Sequence, residues 1–429
     1  MPQNGANGAP NRGIVRDSFK LLSSGASVQV VALLLLVLIG RLYNEHTMGQ
    51  LGLFLTWGGL ISVAASGRFE QAIVVTPSEQ EAPLLLRLAL KLALLTSLCL
   101  SAIVLLVYFS PVPNPLSALL LLLPLYVLLQ AGNEAFTLYT LRRKRYKRLA
   151  WAQATQGIGN NLLKVLTGLA APTTFCLILS ALLSLFFSWI VLSGKQLVRS
   201  IRTFLPRLFR ISSAERHLMK RWHRFPRYGI FQILTDTLLA NIVVLLLPVH
   251  FTVAEVGIFT MAVMLCARPL NVLNRAVGSV YFERMSRSVQ LKQPLRALIR
   301  RLLLAVFLIG LPAAALLWPL MDGLVSLVVG DKWLLSALVI RLMLPSKVPN
   351  FAVAILNVLP DIFGKQRAHM TAELIMLVAR TVVILSAFQT DSFRSFLIIF
   401  FAYQVVEQIG YLLFLVHFAV RYDRSLARC

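Results

Sequence analysis

An all-α polytopic membrane protein is the fold class this sequence predicts, and three observations carry the prediction. The 429-residue chain is 58% hydrophobic and only 14% charged, with a mean hydropathy of +0.75, whereas soluble domains carry about 25% charged residues. Apolar runs long enough to cross a bilayer, about 20 residues each, recur along its whole length. Basic residues outnumber acidic ones 42 to 17, for a net charge of +25, and they crowd into alternate segments between the runs. The composition excludes a string of soluble domains, a disordered chain and a secreted disulfide scaffold. Cys99, Cys176 and Cys266 lie in apolar runs, Cys429 is the last residue, and no CxxC occurs. The polar opening lacks a small-residue cleavage pattern behind a short apolar core, so no cleaved signal peptide is expected.

Taken in order, about twelve transmembrane helices are expected: 21–40, 50–67, 85–109, 116–141, 149–170, 174–193, 228–248, 256–280, 299–319, 334–359, 370–388 and 395–418. The longest segment between them, 194–227, leaves no room for a soluble catalytic domain. The segments 1–20, 68–87, 142–148, 194–227, 281–301, 360–369 and 419–429 hold 32 of the 42 basic residues, and those of the other side hold only Arg41, Lys332 and Arg394. Lys and Arg concentrate in cytoplasmic loops. The expected topology is therefore N-in and C-in, and most of the charge is explained without a nucleic acid.

An internal repeat divides the chain. Thr47-Met48-Gly49-Gln50-Leu51-Gly52-Leu53-Phe54 enters the second span, and Thr252-Val253-Ala254-Glu255-Val256-Gly257-Ile258-Phe259 enters the eighth. Leu123-Pro124 precedes Lys144 by the same interval that separates Leu344-Pro345 from Lys365. Both echoes return six spans later on the same side. They predict two six-helix lobes, 1–193 and 228–429, related by a pseudo-two-fold along the membrane normal. The basic segment 194–227 joins them, with Leu197, Ile201, Leu205 and Leu208 alternating with Arg199, Arg202 and Arg207 in an interfacial amphipathic pattern.

Seven basic residues fall inside spans. Lys91 lies near a cytoplasmic end and is expected to snorkel. Lys164, Arg268, Arg275, Arg341, Lys347 and Arg380 are deeper, each costing ~2.5–3.5 kcal/mol if it faced lipid. Gln153, Gln156, Asn160, Lys164 and Thr167 form one helical stripe, and Arg268, Asn271 and Arg275 a second. Pro345 and Pro349 around Lys347 suggest a broken helix. Glu373 and Arg380 share a face. Internal salt bridges to Glu70, Glu134, Asp236, Glu373 and Glu407 would account for part of this charge. Otherwise a net-positive cavity remains, suited to an anion, and the bidentate fork of Arg favours phosphate. No GxxxxGK[ST], HExxH or Cys/His metal spacing occurs, so neither cofactor nor metal is expected. Any driving force would come from a proton or sodium gradient, or from consumption of the product. Mid-span Asp236 is the first candidate for coupling, with Glu70 and Glu373 beside it.

The block Gly67-Arg68-Phe69-Glu70-Gln71-Ala72-Ile73-Val74 resembles one found in bacterial polysaccharide-transport flippases. These are the Wzx-type O-antigen and exopolysaccharide translocases of the multidrug/oligosaccharidyl-lipid/polysaccharide exporter superfamily. Phe225-Pro226-Arg227-Tyr228, Glu255-Val256-Gly257-Ile258-Phe259 running to Arg268-Pro269-Leu270, Gly330-Asp331-Lys332-Trp333 and Gly364-Lys365-Gln366 are similar too. The resemblance implies a cation-lined cavity between two lobes in the bacterial inner membrane. Its implied cargo is an undecaprenyl-diphosphate-linked oligosaccharide, with a polysaccharide polymerase and chain-length proteins as partners. Glu70, with Arg68, lies nearer the cytoplasmic end, where a gate or a plain salt bridge to a neighbouring helix is expected as readily as coupling. Arg275 and Lys347 are outside the family pattern. A multidrug cation antiporter is the main alternative, but residues 21–40 hold no acid and the deep charge is basic. A polymerase or ligase would need a larger outer loop than any here, and a structural scaffold leaves the deep bases unexplained.

The topology is tested by one cysteine placed in 194–227 of a chain otherwise free of cysteine. An impermeant thiol reagent should leave it unlabelled in intact cells and label it after permeabilisation.

Overall fold

A computed structural model describes residues 31–32, 34–109, 117–194 and 212–426; the side chains of Ser117, Arg268 and Ala276 are outside that description. Among the described residues the chain is almost wholly helical and contains no strand. Ten helices are long and apolar enough to cross a membrane, and many of their large apolar side chains, such as Leu106, Leu308, Leu327 and Val406, are exposed. Such surfaces are stable only in lipid. This is a multi-pass membrane protein.

The first group of helices comprises α1 (31–32 and 34–42), α2 (Glu45–Ala65), α3 (Phe69–Val75), α4 (Glu81–Tyr108), α5 (Leu123–Arg142), α6 (Tyr146–Ala154), α7 (Asn160–Ala170) and α8 (Thr174–Ser193). A short helix, α9 (Ser213–Arg221), follows. The second group is α10 (Ile230–Leu246), α11 (Val253–Gln290), α12 (Arg296–Val329), α13 (Leu334–Leu356), α14 (Leu359–Ile362), α15 (Gln366–Ala387) and α16 (Phe393–Leu426). The expected span 21–40 begins outside the described residues, as does most of the amphipathic pattern in 194–227.

Two spans depart from a plain α-helix. Between α6 and α7 lies a π-helical turn, Thr155–Gly159, and another, Phe225–Gly229, precedes α10. A π turn takes up an extra residue and shifts the helical register. That breaks the expected polar stripe: Gln153 is exposed, whereas Lys164 is buried at 4%. The expected break at Pro345 and Pro349 is absent, since α13 runs through both. Packing against α11, α12 and α16 holds it, and the Ser346 hydroxyl donates to the Met343 carbonyl (2.8 Å) and to Gln404 (3.0 Å).

Lys91 reaches toward the basic end, as expected, but meets a carboxylate there rather than open water. Its ammonium contacts both carboxylate oxygens of Glu215 at 2.7 and 2.8 Å, and Arg221 bonds Glu81 at 2.5 Å. Helix α9 is thereby fixed to α4. A capping box formed by Ser212 and Glu215 starts it.

The two groups meet through the repeated segments. Helices α2 and α11 cross where a Cβ on Gly49 would overlap the Val253 carbonyl, and one on Gly257 would overlap Glu45 and come within 2.8 Å of the Gly49 nitrogen. At the same end, Trp333 donates to the Gly40 carbonyl (2.7 Å), Lys332 to the carbonyl of Tyr43 (2.7 Å), and Arg41 to that of Leu327 (2.7 Å). At the opposite, basic end, Arg68 of the first group packs against Gly229 of the second. Gly257→Val should lower stability by ~1–3 kcal/mol or more through overpacking, whereas Gly59→Ala, with nothing near its Cβ position, should not. Thermal melts of the two variants in detergent check this.

Candidate functional site

The expected coupling residues lie in one neighbourhood. Arg68 sits in a left-handed turn (φ 60°) between α2 and α3, which aims its side chain across the gap between the groups. Its guanidinium lies 3.5 Å from Glu70 and close enough to Asp236 for charge interaction. Glu70 is 1% exposed and accepts a 2.5 Å hydrogen bond from Ser66. Burial there pushes its carboxyl above the ordinary range, against the lowering effects of Ser66 and Arg68. Across the gap, the carboxyls of Asp236 on α10 and Glu373 on α15 lie close enough to interact. His369, one turn before Glu373, reaches it at 3.0 Å and stacks on Tyr411. Oδ1 of Asp236 and Oε2 of Glu373 are buried without a hydrogen-bond donor among the described residues. Two carboxyls this close in a poorly hydrated place cannot both carry charge without a cation or proton between them.

The expected cation-lined set is more dispersed. Arg380, 7% exposed, forms a forked pair with Glu407 on α16 and donates to the Leu239 carbonyl. It faces Glu407, while Glu373, seven residues earlier, turns to His369. Arg341 meets Asp322 at 3.1 Å; because α12 continues to Val329, Asp322 lies within a helix that sequence reading ended at 319. Lys164 is buried beside Tyr43, whose hydroxyl donates to the Lys164 carbonyl (2.8 Å). Asn160 keeps a buried oxygen without a partner. Asn271 and Arg275 are exposed on α11. The Arg268 side chain lies outside the described residues. Lys347 is half-buried with no carboxylate or hydrogen-bond partner among them, and it lines an apolar cavity of about 860 Å³ between α1, α11, α12 and α13.

Sequence reading missed His369, Asp322 and the aromatic neighbours Tyr403 and Tyr411. The i,i+4 spacing of His369 and Glu373 was a usable signal. Asp322 gave none, since only the true length of α12 brings it to Arg341.

Two lobes packed through a repeated helix pair, with charged residues between them, define the class of fold. Solved structures share it. A multidrug resistance MATE family transporter of the MOP superfamily, in its inward-facing conformation, aligns over 93% of this chain and 96% of its own, with TM-score 0.63 and 14% identity. The lipid II flippase MurJ, in an inward closed conformation, aligns over 95% and 91%, with TM-score 0.62 and 10% identity. An outward-facing MATE structure overlays with TM-score 0.55 at 15% identity, covering 99% of this chain and all of its own. At such identities the likeness establishes the fold. A comparison with curated proteins finds no match in sequence. The family model for polysaccharide biosynthesis proteins matches residues 38–338, and the chain belongs to that family.

Removing one member of the Arg380–Glu407 pair strands a buried charge, at ~3–5 kcal/mol. Arg380→Met alone should therefore destabilise the protein strongly. The double variant Arg380→Met, Glu407→Leu should recover most of that loss in a thermal melt.

Proposed function

We propose that this chain is a flippase that moves an undecaprenyl-diphosphate-linked oligosaccharide repeat unit from the cytoplasmic to the periplasmic leaflet of the bacterial inner membrane. The product would feed O-antigen or exopolysaccharide assembly, with a polymerase and chain-length proteins downstream. One observation carries the reading: the deep acids of the second helix group are already engaged. Glu407 serves Arg380, and Glu373 serves His369 with Asp236 close by, whereas neither Lys347 nor Arg275 has a carboxylate partner among the described residues. A cation carrier needs the opposite balance. Membership of the polysaccharide biosynthesis family supports the cargo class, and the flippase named among the structural neighbours acts on a lipid-linked substrate.

In this reading residues 1–193 and 228–429 are the lobes and 194–227 the cytoplasmic linker, with both termini in the cytoplasm. The Gly49–Gly257 crossing then closes the periplasmic side, and the diphosphate enters from the cytoplasm. Lys164, Arg268, Arg275, Arg341, Lys347 and Arg380, with Asn160 and Asn271, supply the positive and polar path. Arg and Lys offer charge-assisted hydrogen bonds to phosphate that replace its hydration. Asp236 and Glu373 exchange a proton or sodium ion as the lobes rock, while Arg68 and Glu70 gate the cytoplasmic side. A coupling ion shifts the equilibrium only if its affinity differs between the two states. Separation of Arg68 from Asp236 when the lobes move supplies that difference.

Proteoliposomes loaded with lipid-linked oligosaccharide test both parts. Wild type should flip it, faster under an imposed proton or sodium gradient. Asp236→Asn should retain flipping and lose the dependence on the gradient, and Arg341→Ala should reduce flipping about tenfold or more, the value of one charged contact. A wild type that moves no lipid-linked sugar refutes the reading, and gradient-sensitive flipping in Asp236→Asn moves coupling to another group.

A further inference from the structure

Helices α11 and α12 are consecutive and joined by a short turn, yet they make little direct contact along their length. Adjacent antiparallel helices ordinarily pack at 8–10 Å. Here α12 leans on α13 instead, and the wedge left between α11 and α12 is the 860 Å³ cavity. Its wall is almost wholly hydrocarbon. Leu273, Ile309, Ala314 and Leu317 line it, and its edge reaches Leu34 of α1. The outer side of α12 carries Leu308, Leu316 and Leu320, each at least half exposed, so the wedge adjoins the lipid. Among the described side chains one charged group belongs to it, Lys347.

Depth identifies the occupant. Lys347 is the fourteenth of the 23 residues of α13, so at 1.5 Å per residue it sits about 20 Å from the outer end of that helix, near its middle. An arginine at a helix end, such as Arg296 or Arg300 of α12, lies where headgroups of ordinary phospholipids lie. An ammonium at mid-depth meets a phosphate only when a lipid headgroup is part-way across. An unpaired mid-membrane cation is costly, and an apolar wedge open to the bilayer takes up hydrocarbon rather than water. A single amphiphile satisfies both, its anionic head on Lys347 and its hydrocarbon in the wedge.

We infer that the α11–α12 wedge holds the hydrocarbon tail of the polyprenyl-phosphate carrier in mid-crossing, with Lys347 bound to its phosphate. This rests on the flippase reading, and it adds a lipid-tail subsite to the polar path. The head crosses between the lobes on the inner side of α13 while the tail trails out to the bilayer, so the hydrocarbon never passes through water. Cys266 lines the same cavity and reports on its occupancy.

The experiment uses full-length protein in nanodiscs, with Cys99, Cys176 and Cys429 changed to serine so that Cys266 alone remains. A membrane-permeant maleimide reads its accessibility. Undecaprenyl diphosphate should slow alkylation about tenfold, the effect of one charge-assisted contact plus the filled cavity. Inorganic diphosphate, which lacks a tail, and phosphatidylglycerol, whose head stays at the surface, should give no comparable protection. Lys347→Met and Ala314→Phe should each abolish the protection, and Lys347→Arg should keep it. Equal protection by phosphatidylglycerol assigns the wedge to bulk lipid and overturns the inference, as does protection that survives Lys347→Met. Flipping is measured separately on wild type. If undecaprenyl diphosphate protects Cys266 through Lys347 and no lipid-linked sugar is moved, the subsite stands and the flippase reading falls.

Discussion

A positive charge in hydrocarbon must find a carboxylate, water or a ligand, and the interior of this protein is organised around how each of its deep bases meets that demand. Arg380 takes a carboxylate, Glu407, on the neighbouring helix. Arg341 takes one on the helix before it, Asp322. Lys91, closer to the surface, takes Glu215 from a helix outside the membrane-spanning set. Lys347 takes none among the described residues. A buried ion pair contributes little net stability because desolvation offsets the attraction, so these pairs fix which helices are neighbours more than how strongly they cohere. The remaining, uncompensated charge is what gives the membrane interior a chemistry.

Cohesion between the two groups has a different source. Where α2 crosses α11, glycine at 49 and 257 lets two backbones touch, as small residues do in helix pairs that have no hydrophobic drive to associate within lipid. The tryptophan and lysine of the Lys332-Trp333 turn then bond carbonyls at the end of α1 and just beyond it. That end is closed by main-chain contacts, which can part without exposing a buried charge.

Much of the architecture was legible in the sequence because a bilayer imposes a length and a charge rule that local composition records. The apolar runs gave the spans of α4, α8, α12 and α16, and the echo of Thr47–Phe54 in Thr252–Phe259 pointed to the two helices that turn out to cross. Register within a span was less legible. The π turns at Thr155–Gly159 and Phe225–Gly229 leave no hydropathy signal, and the first of them rotates Gln153 away from Lys164. Proline also misled: Pro345 and Pro349 cost two backbone donors, but packing on three sides keeps α13 whole. At the site, Asp236, Glu373, Arg68 and Glu70 could be named as candidates from sequence alone. Their meeting across the gap could not, because it depends on the left-handed turn at Arg68.

The attachment of α9 has a mechanical consequence. Lys91 and Glu81 bind this helix to the first group through Glu215 and Arg221, yet only three residues, Trp222 to Arg224, separate it from the π turn that opens the second. The covalent connection between the halves is thus a short hinge with one leaf bolted down, rather than a slack tether. Any relative rotation would be absorbed in those few torsions and in the π turn, whose proline, Pro226, has no backbone N–H to donate. Such a joint would set where the two groups can move against each other, at the basic end beside Arg68.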